Sequence, residues 1–427
     1  MIKDHTAKIS KDTLLVLILN SVNYLCSFIM AVLVSRFLGI ESFGQYSFIF
    51  AFILIPGIVA DFGLSTLIVR KINENKFIAK ELIFNFNVIK IFLSIAIIII
   101  LTVPVYLFFE KFFYPAFIIG IMIILPRSLM STYESSLRSF MNQGYPVTIK
   151  SINSFLQLTF SYFLLTKGFG LTEIFLGVLL LDSLTALVLY ITNGKVIKNY
   201  YAANEEYLFV QMRTDHKFRF IPVIKESSVF FLNNFFMISI KGMNVILLGY
   251  FSTAVSVGIY SAGARFVNGI GLFSGALFNS FYPAISNIKN DARMKVNLTK
   301  RFLIYSFVLG FIISGAVFFL ADQLIEMTFR SAESVIVLKI LSLTMLPVLV
   351  YTVTQSFLFT VYEEKFLMKI LIIAWSLNII LSIILITLYD YTGCAAALAF
   401  TEIFLMLTQL HKFISDVRKF ETVSEIA

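Results

Sequence analysis

Twelve runs of about 20 apolar residues, parted by short polar segments, leave this chain few folds to choose from. A helix of that length matches the hydrocarbon thickness of a bilayer and satisfies its own backbone N–H and C=O groups there. The runs are Thr13 to Val34, Gln45 to Val69, Leu82 to Phe108, Tyr114 to Leu137, Tyr145 to Thr166 and Leu171 to Thr192, then Ser227 to Tyr250, Val255 to Ile285, Phe302 to Leu320, Val335 to Val361, Phe366 to Leu388 and Tyr391 to Leu410. With 59% hydrophobic residues, 14% charged residues and a mean hydropathy of +0.89, a soluble domain of 427 residues could not bury them in one core. The expected fold class is an all-α polytopic membrane protein. The first run is too long for a signal-peptide core and no Ala-x-Ala site follows it, so it is read as a membrane helix.

Loops rich in Lys and Arg resist translocation, which orients the spans. With both termini cytoplasmic, only Arg36, Lys111, Lys167 and Arg330 fall in outside segments. The inside segments hold clusters such as Arg70/Lys71/Lys76/Lys80, Lys195/Lys198/Arg213/Lys217/Arg219 and Lys289/Arg293/Lys295/Lys300/Arg301. The net charge of +9 is therefore a topology signal spread over short cytoplasmic segments, and no nucleic-acid partner is expected.

One connector is long, Asn193 to Glu226, with Tyr200, Tyr201 and Tyr207 among its charges. It separates an N-terminal lobe, residues 1–192, from a C-terminal lobe, residues 227–414, which a short tail, 415–427, follows. The lobes echo one another: Phe43-Gly44-Gln45-Tyr46-Ser47 recurs as Val257-Gly258-Ile259-Tyr260-Ser261, and at the same offset Asn20, Leu33 and Phe37 match Asn234, Leu247 and Phe251. The seventh span starts on the same side as the first, so the expected repeat is parallel, with its axis along the membrane normal.

Five cations stand well inside the spans: Lys90, Arg127, Lys241, Arg265 and Lys339. Each costs at least ~3 kcal/mol at the bilayer centre, which points to a polar pathway for something negatively charged. Lys339 is near enough to the outer end of its span to snorkel. Four acids accompany them. Asp182 and Glu402, near the middle of spans six and twelve, are the better candidates for proton or sodium coupling, with Asp61 and Glu134 behind them. Glu134 is expected to pair with Arg138, four residues on. Polar stripes at helical spacing accompany these charges: Asn20/Asn23/Ser27, Asn87/Lys90/Ser94, Arg127/Ser131/Glu134/Arg138, Asn153/Gln157/Ser161 and Asn234/Lys241/Asn244. They fit either a cavity lining or hydrogen-bonded glue between helices. Pro56, Pro104, Pro126 and Pro347 are expected to kink their spans. No catalytic or metal cluster is visible: His5, His216 and His411 are scattered, Cys26 and Cys394 are isolated, and Asp61-Phe62-Gly63 lies inside a span, far from any kinase context.

Several stretches resemble the polysaccharide-transport branch of the MATE-like (MOP) superfamily. They are Ser35-Arg-Phe-Leu-Gly39, Phe43-Gly-Gln-Tyr-Ser47 and Asp61-Phe-Gly-Leu64 with Arg70, then Val245-Ile-Leu-Leu-Gly-Tyr-Phe251, Val257-Gly-Ile-Tyr-Ser-Ala262 and Phe281-Tyr-Pro-Ala284. Within that branch the chain looks most like Wzx-type flippases. The resemblance implies two pseudo-twofold-related six-helix lobes and a non-enzymatic role in the bacterial inner membrane. The cargo would be polyprenyl-pyrophosphate-linked oligosaccharide repeat units of O-antigen or another surface polysaccharide. Lys90, Arg127, Lys241 and Arg265 would hold the pyrophosphate in a cavity between the lobes. Membrane lipids, the polysaccharide polymerase and the chain-length proteins of the same pathway are the implied partners, and no cofactor is implied beyond a coupling proton or sodium ion. The chain departs from many relatives in having Asn244, and no acid, one turn after Lys241. Two other readings stay open: a drug/cation antiporter of the MATE branch, which the cations disfavour, and a polysaccharide polymerase, which would need a long outside loop.

Overall fold

The computed structural model describes residues 2–108, 114–140, 144–204, 220–288 and 292–426, all helix, turn or short link. The helices are α1 (Ile2–Asp61), α2 (Leu64–Glu74), α3 (Ala79–Phe108), α4 (Tyr114–Met122), α5 (Ile124–Ser139), α6 (Gly144–Thr166), α7 (Leu171–Ala202), α8 (Phe220–Phe251), α9 (Ala254–Asn268), α10 (Ile270–Ser286), α11 (Ala292–Phe319), α12 (Ala321–Thr328), α13 (Glu333–Ser342), α14 (Met345–Thr360) and α15 (Glu364–Ile426). Among the described residues, eight helices are long and apolar enough to cross a membrane. Each of the twelve runs falls on one of the helices α1–α15 or on a consecutive pair of them; the fifth, on α6, and the eighth, on α9 and α10, lie outside those eight.

The breaks have local causes. α1 carries two runs and turns at Gly39, whose φ of 87° suits a residue without Cβ. α15 also carries two and turns at Asp390, a non-glycine at φ 52° that is held by a 2.6 Å hydrogen bond from Ser256 Oγ. Pro126 and Pro347 cannot donate to the carbonyls of Met122 and Leu343, and there the fourth and tenth runs divide into α4/α5 and α13/α14. Pro56 and Pro104 stand within α1 and α3 without dividing them. Helix also enters the connector from both sides, since α7 runs to Ala202 and α8 begins at Phe220, while Tyr207 lies outside the described residues.

The described residues form two compact units, Met1–Phe37 with Ile49–Ser239, and Leu38–Phe48 with Ile240–Ala427. In the first, α5 packs against α2, α3 and α7 around Leu67, Phe86, Leu137 and Leu189. The chain breaks after Asp61, where Phe62 and Gly63 both take positive φ. A methyl on Gly63 would stand 2.5 Å from the Ser227 carbonyl oxygen, so α8 passes directly over this glycine, and the Phe62 ring stacks on Phe231 at 4.8 Å. Arg70 and Lys71 close the same side on Glu226 at 3.3 and 3.0 Å. Tyr200 and Tyr201 of the connector complete this core: Lys76 lies over the Tyr200 ring, and Tyr201 donates to the Phe77 carbonyl at 2.7 Å. Outward-facing side chains such as Phe92 and Ile100 on α3 are apolar and exposed, as a lipid-facing surface requires.

In the second unit α14 packs against α10, α11 and α15 around Phe281, Val353, Phe357 and Phe413. The repeated motifs meet here. A methyl on Gly44 would stand 1.8 Å from the Ala254 carbonyl oxygen, and one on Gly258 would stand 2.1 Å from that of Ile40. Ile40 and Ala254 are themselves equivalent positions of the repeat, so the two segments cross by a reciprocal contact in which each glycine receives the other's backbone. Phe43, fully buried, anchors the crossing against Phe329.

Because backbone lies on backbone there, Gly44→Ala or Gly258→Ala should each destabilise the purified protein by about 1–3 kcal/mol. The double variant should lose less than the sum, since both act on one crossing. Thermal unfolding in detergent measures both, and midpoints equal to wild type would exclude the tight crossing.

Candidate functional site

Each unit embeds charged side chains at mid-span, and their surroundings separate them sharply. In the first unit, Lys90 on α3 is fully buried and its ammonium lies 2.6 Å from Asp61 Oδ1. It also donates to Ser65 Oγ at 2.8 Å, Ser131 Oγ at 2.9 Å and the Ser128 carbonyl at 3.2 Å. Three N–H groups facing four acceptors leave nothing for an incoming phosphate. The expectation that Lys90 holds a ligand thus meets an internal ion pair, and the same pair occupies Asp61.

Arg127, at the start of α5, is the opposite case. Its Nε donates to Asp182 Oδ2 at 2.8 Å and its guanidinium lies 5.3 Å from the centre of the Phe50 ring. Asp182 is buried, and its other oxygen accepts from Asn153 at 2.8 Å and Gln157 at 2.7 Å. The carboxylate is therefore locked on both sides, and through it the guanidinium. Yet the Arg127 side chain remains 43% exposed, and among the described residues its terminal amino groups have no hydrogen-bond partner. A guanidinium gripped at Nε and bare at both terminal nitrogens presents a planar two-point donor, the geometry that suits phosphate or carboxylate. Asp182, expected to couple an ion, acts here as the anchor of Arg127.

In the second unit, Lys241 on α8 faces Glu402 on α15, but no ion pair within 4.0 Å joins them among the described residues. Glu402 is buried beside Tyr351, and among the described residues its Oε2 has no hydrogen-bond partner. Lys241 lines a recess of about 40 Å³ with Tyr260, Asn268, Thr344 and Leu398, room enough for a water or one small polar group. Arg265 sits in the last turn of α9, partly buried. Glu134 pairs with Lys150 on α6 at 3.1 Å and not with Arg138, which turns back to Ser135 Oγ at 3.0 Å. Lys339 extends to exposed Asp322 at 2.8 Å, and that hydrogen-bonded ammonium holds the Asp322 carboxyl below the usual carboxylate range.

The polar stripes mostly join helix to helix. Asn87 donates to Tyr133, Ser94 shares a hydrogen bond with Ser128, and Asn244 accepts from Ser382. Sequence reasoning did not single out Ser65, Phe50 or Tyr351. Ser65 carries a usable signal, standing one helical turn after Asp61, whereas Phe50 is one of 47 phenylalanines.

Comparison with known proteins places these groups in context. Residues 9–289 match the family model described as Polysaccharide biosynthesis protein. The chain belongs to the polysaccharide biosynthesis protein family. This family member has no match among curated proteins by sequence. Its fold is like that of several solved membrane transporters. It resembles an inward-facing multidrug resistance MATE family transporter with a TM-score of 0.73 at 13% identity, covering 94% of this chain and 96% of the other. It resembles the lipid II flippase MurJ in an inward closed conformation at 0.71 and 17% identity, covering 93% and 87%. A third likeness is to a MOP superfamily transporter of Pyrococcus furiosus whose binding pocket is described as reversed in polarity, at 0.65 and 14% identity, covering 97% and 96%. The family member is thus a multi-pass membrane protein with a MATE- and MurJ-like fold.

If Asp182 is the anchor, Asp182→Ala strands two amides and a guanidinium, and stability should fall by about 2–4 kcal/mol. Arg138→Ala, which removes one hydrogen bond to Ser135, should shift the midpoint little. Equal midpoints for wild type and Asp182→Ala in thermal unfolding would refute the anchoring role.

Proposed function

We propose that the chain is a flippase that moves polyprenyl-pyrophosphate-linked oligosaccharide repeat units, of O-antigen or another surface polysaccharide, across a bacterial inner membrane by alternating access. The observation that carries the reading is Arg127: a mid-span guanidinium, pinned at Nε by a buried carboxylate, with both terminal amino groups open among the described residues. A cation exposed at that depth calls for an anionic ligand. Membership of the polysaccharide biosynthesis protein family supports a saccharide cargo, and the MurJ-like fold is compatible with a lipid-borne one.

In this reading Arg127 is the principal pyrophosphate ligand, binding by parallel N–H donors, and Lys241 is a candidate for a point charge that releases readily. Arg265 is a further candidate. Lys90 is withdrawn from the set, because its ammonium is saturated by Asp61 and three serines. Of the four acids, Glu402 is the one retained for proton or sodium coupling, since one of its oxygens lacks a partner among the described residues. Both termini would be cytoplasmic, as the basic segments indicate. A multidrug antiporter on the same fold would take cationic cargo, which an open guanidinium at mid-span repels.

The test is reconstitution in proteoliposomes with a defined polyprenyl-pyrophosphate oligosaccharide. Arg127→Ala should slow flipping roughly ten- to a hundred-fold, the equivalent of one charge-assisted contact, with Arg127→Lys intermediate and Lys241→Ala milder. A folded Arg127→Ala that flips at the wild-type rate would remove the assignment.

A further inference from the structure

The surroundings of Lys90 are those of a bound ion. Asp61 Oδ1, Ser65 Oγ, Ser131 Oγ and the Ser128 carbonyl lie 2.6, 2.8, 2.9 and 3.2 Å from its Nζ, and the side chain is wholly buried. The serine protons are directed away from it. Ser65 donates to Asp61 Oδ1, and Ser131 Oγ lies 2.7 Å from the Ser128 carbonyl and 3.1 Å from Asp61 Oδ1. The hydroxyl lone pairs therefore face the ammonium. All four oxygens come from α1, α2 and α5, while the cation alone comes from α3. The cage is thus assembled by helices that do not carry its occupant.

Charge and size define what such a cage accepts. One carboxylate and three neutral oxygens balance a single positive charge. Three of the four contacts, at 2.8–3.2 Å, are longer than the ~2.3–2.6 Å of calcium, all four exceed the ~2.0–2.1 Å of magnesium, and the set matches hydrogen bonds from an ammonium. We infer that Asp61, Ser65, Ser128 and Ser131 form a site for a monovalent cation of ammonium size, which this chain fills permanently with its own tethered lysine. The site is then occupied at every ionic composition of the cell, and Asp61 takes no part in an ion cycle.

Removal of the tether tests this without reference to transport. The purified full-length chain in detergent is unfolded thermally in choline chloride and with increasing sodium, potassium, ammonium or methylammonium. The wild-type midpoint should not depend on the cation. Lys90→Ala should be lowered in choline and raised by several degrees, saturably, by ammonium, methylammonium or potassium, as a ligand bound only by the folded state requires. Lys90→Ser, which leaves a polar side chain in the vacated space, should respond in the same way, and Asp61→Asn combined with Lys90→Ala should not respond at all. Absence of a cation response in both single variants, or an equal response in the double variant, overturns the inference. Neither result bears on whether the chain flips lipid-linked sugars.

Discussion

A charge in hydrocarbon has to be neutralised where it stands, and the pairing of Lys90 with Asp61 is the point at which this requirement organises the first unit. The pair ties α3 to the end of α1, the start of α2 and the middle of α5 in one buried node. Asp61 can occupy that node because the helix breaks immediately after it. Phe62 and Gly63 then use the break, one by stacking on Phe231 and the other by admitting the backbone of α8. Three consecutive residues that spell a kinase triplet by accident thus have three separate structural duties here.

Lys90 and Arg127 are both basic and both deep in the membrane region, yet their roles diverge through what their neighbours leave open. Four oxygens enclose the lysine. Among the described residues Arg127 hydrogen-bonds through one nitrogen only, and its partner Asp182 is itself immobilised by two amides, so the open face is held in a fixed direction. Rigid support behind a partly exposed cation is the arrangement that favours recognition over mere neutralisation. The second unit takes a looser form: among the described residues Lys241 and Glu402 face each other outside ion-pair range, with Tyr351 beside the carboxylate.

The spans were legible because hydropathy and length are local properties, and the breaks before Pro126 and Pro347 because a missing N–H is local as well. The partners of the charges were not. Helical spacing suggested Glu134 with Arg138, but Lys150 on the neighbouring α6 is better placed, and no one-dimensional pattern contains that fact. The same holds for the polar stripes: periodicity showed which face of a helix is wet or bonded, without distinguishing a cavity from another helix. Asn153 and Gln157 prove to serve a carboxylate on α7, and Ser131 a lysine on α3. The short α12 and the helical ends of the connector were missed because their apolar content is too low to register as a span.

The crossing of Gly44 and Gly258 also ties the two copies of the repeated motif to one another. Each copy of the motif is the docking surface of the other, so a side chain gained by one is a steric insult to its twin. At this crossing the two segments can change only in concert, so each copy of the motif acts as a veto on the side chains of the other.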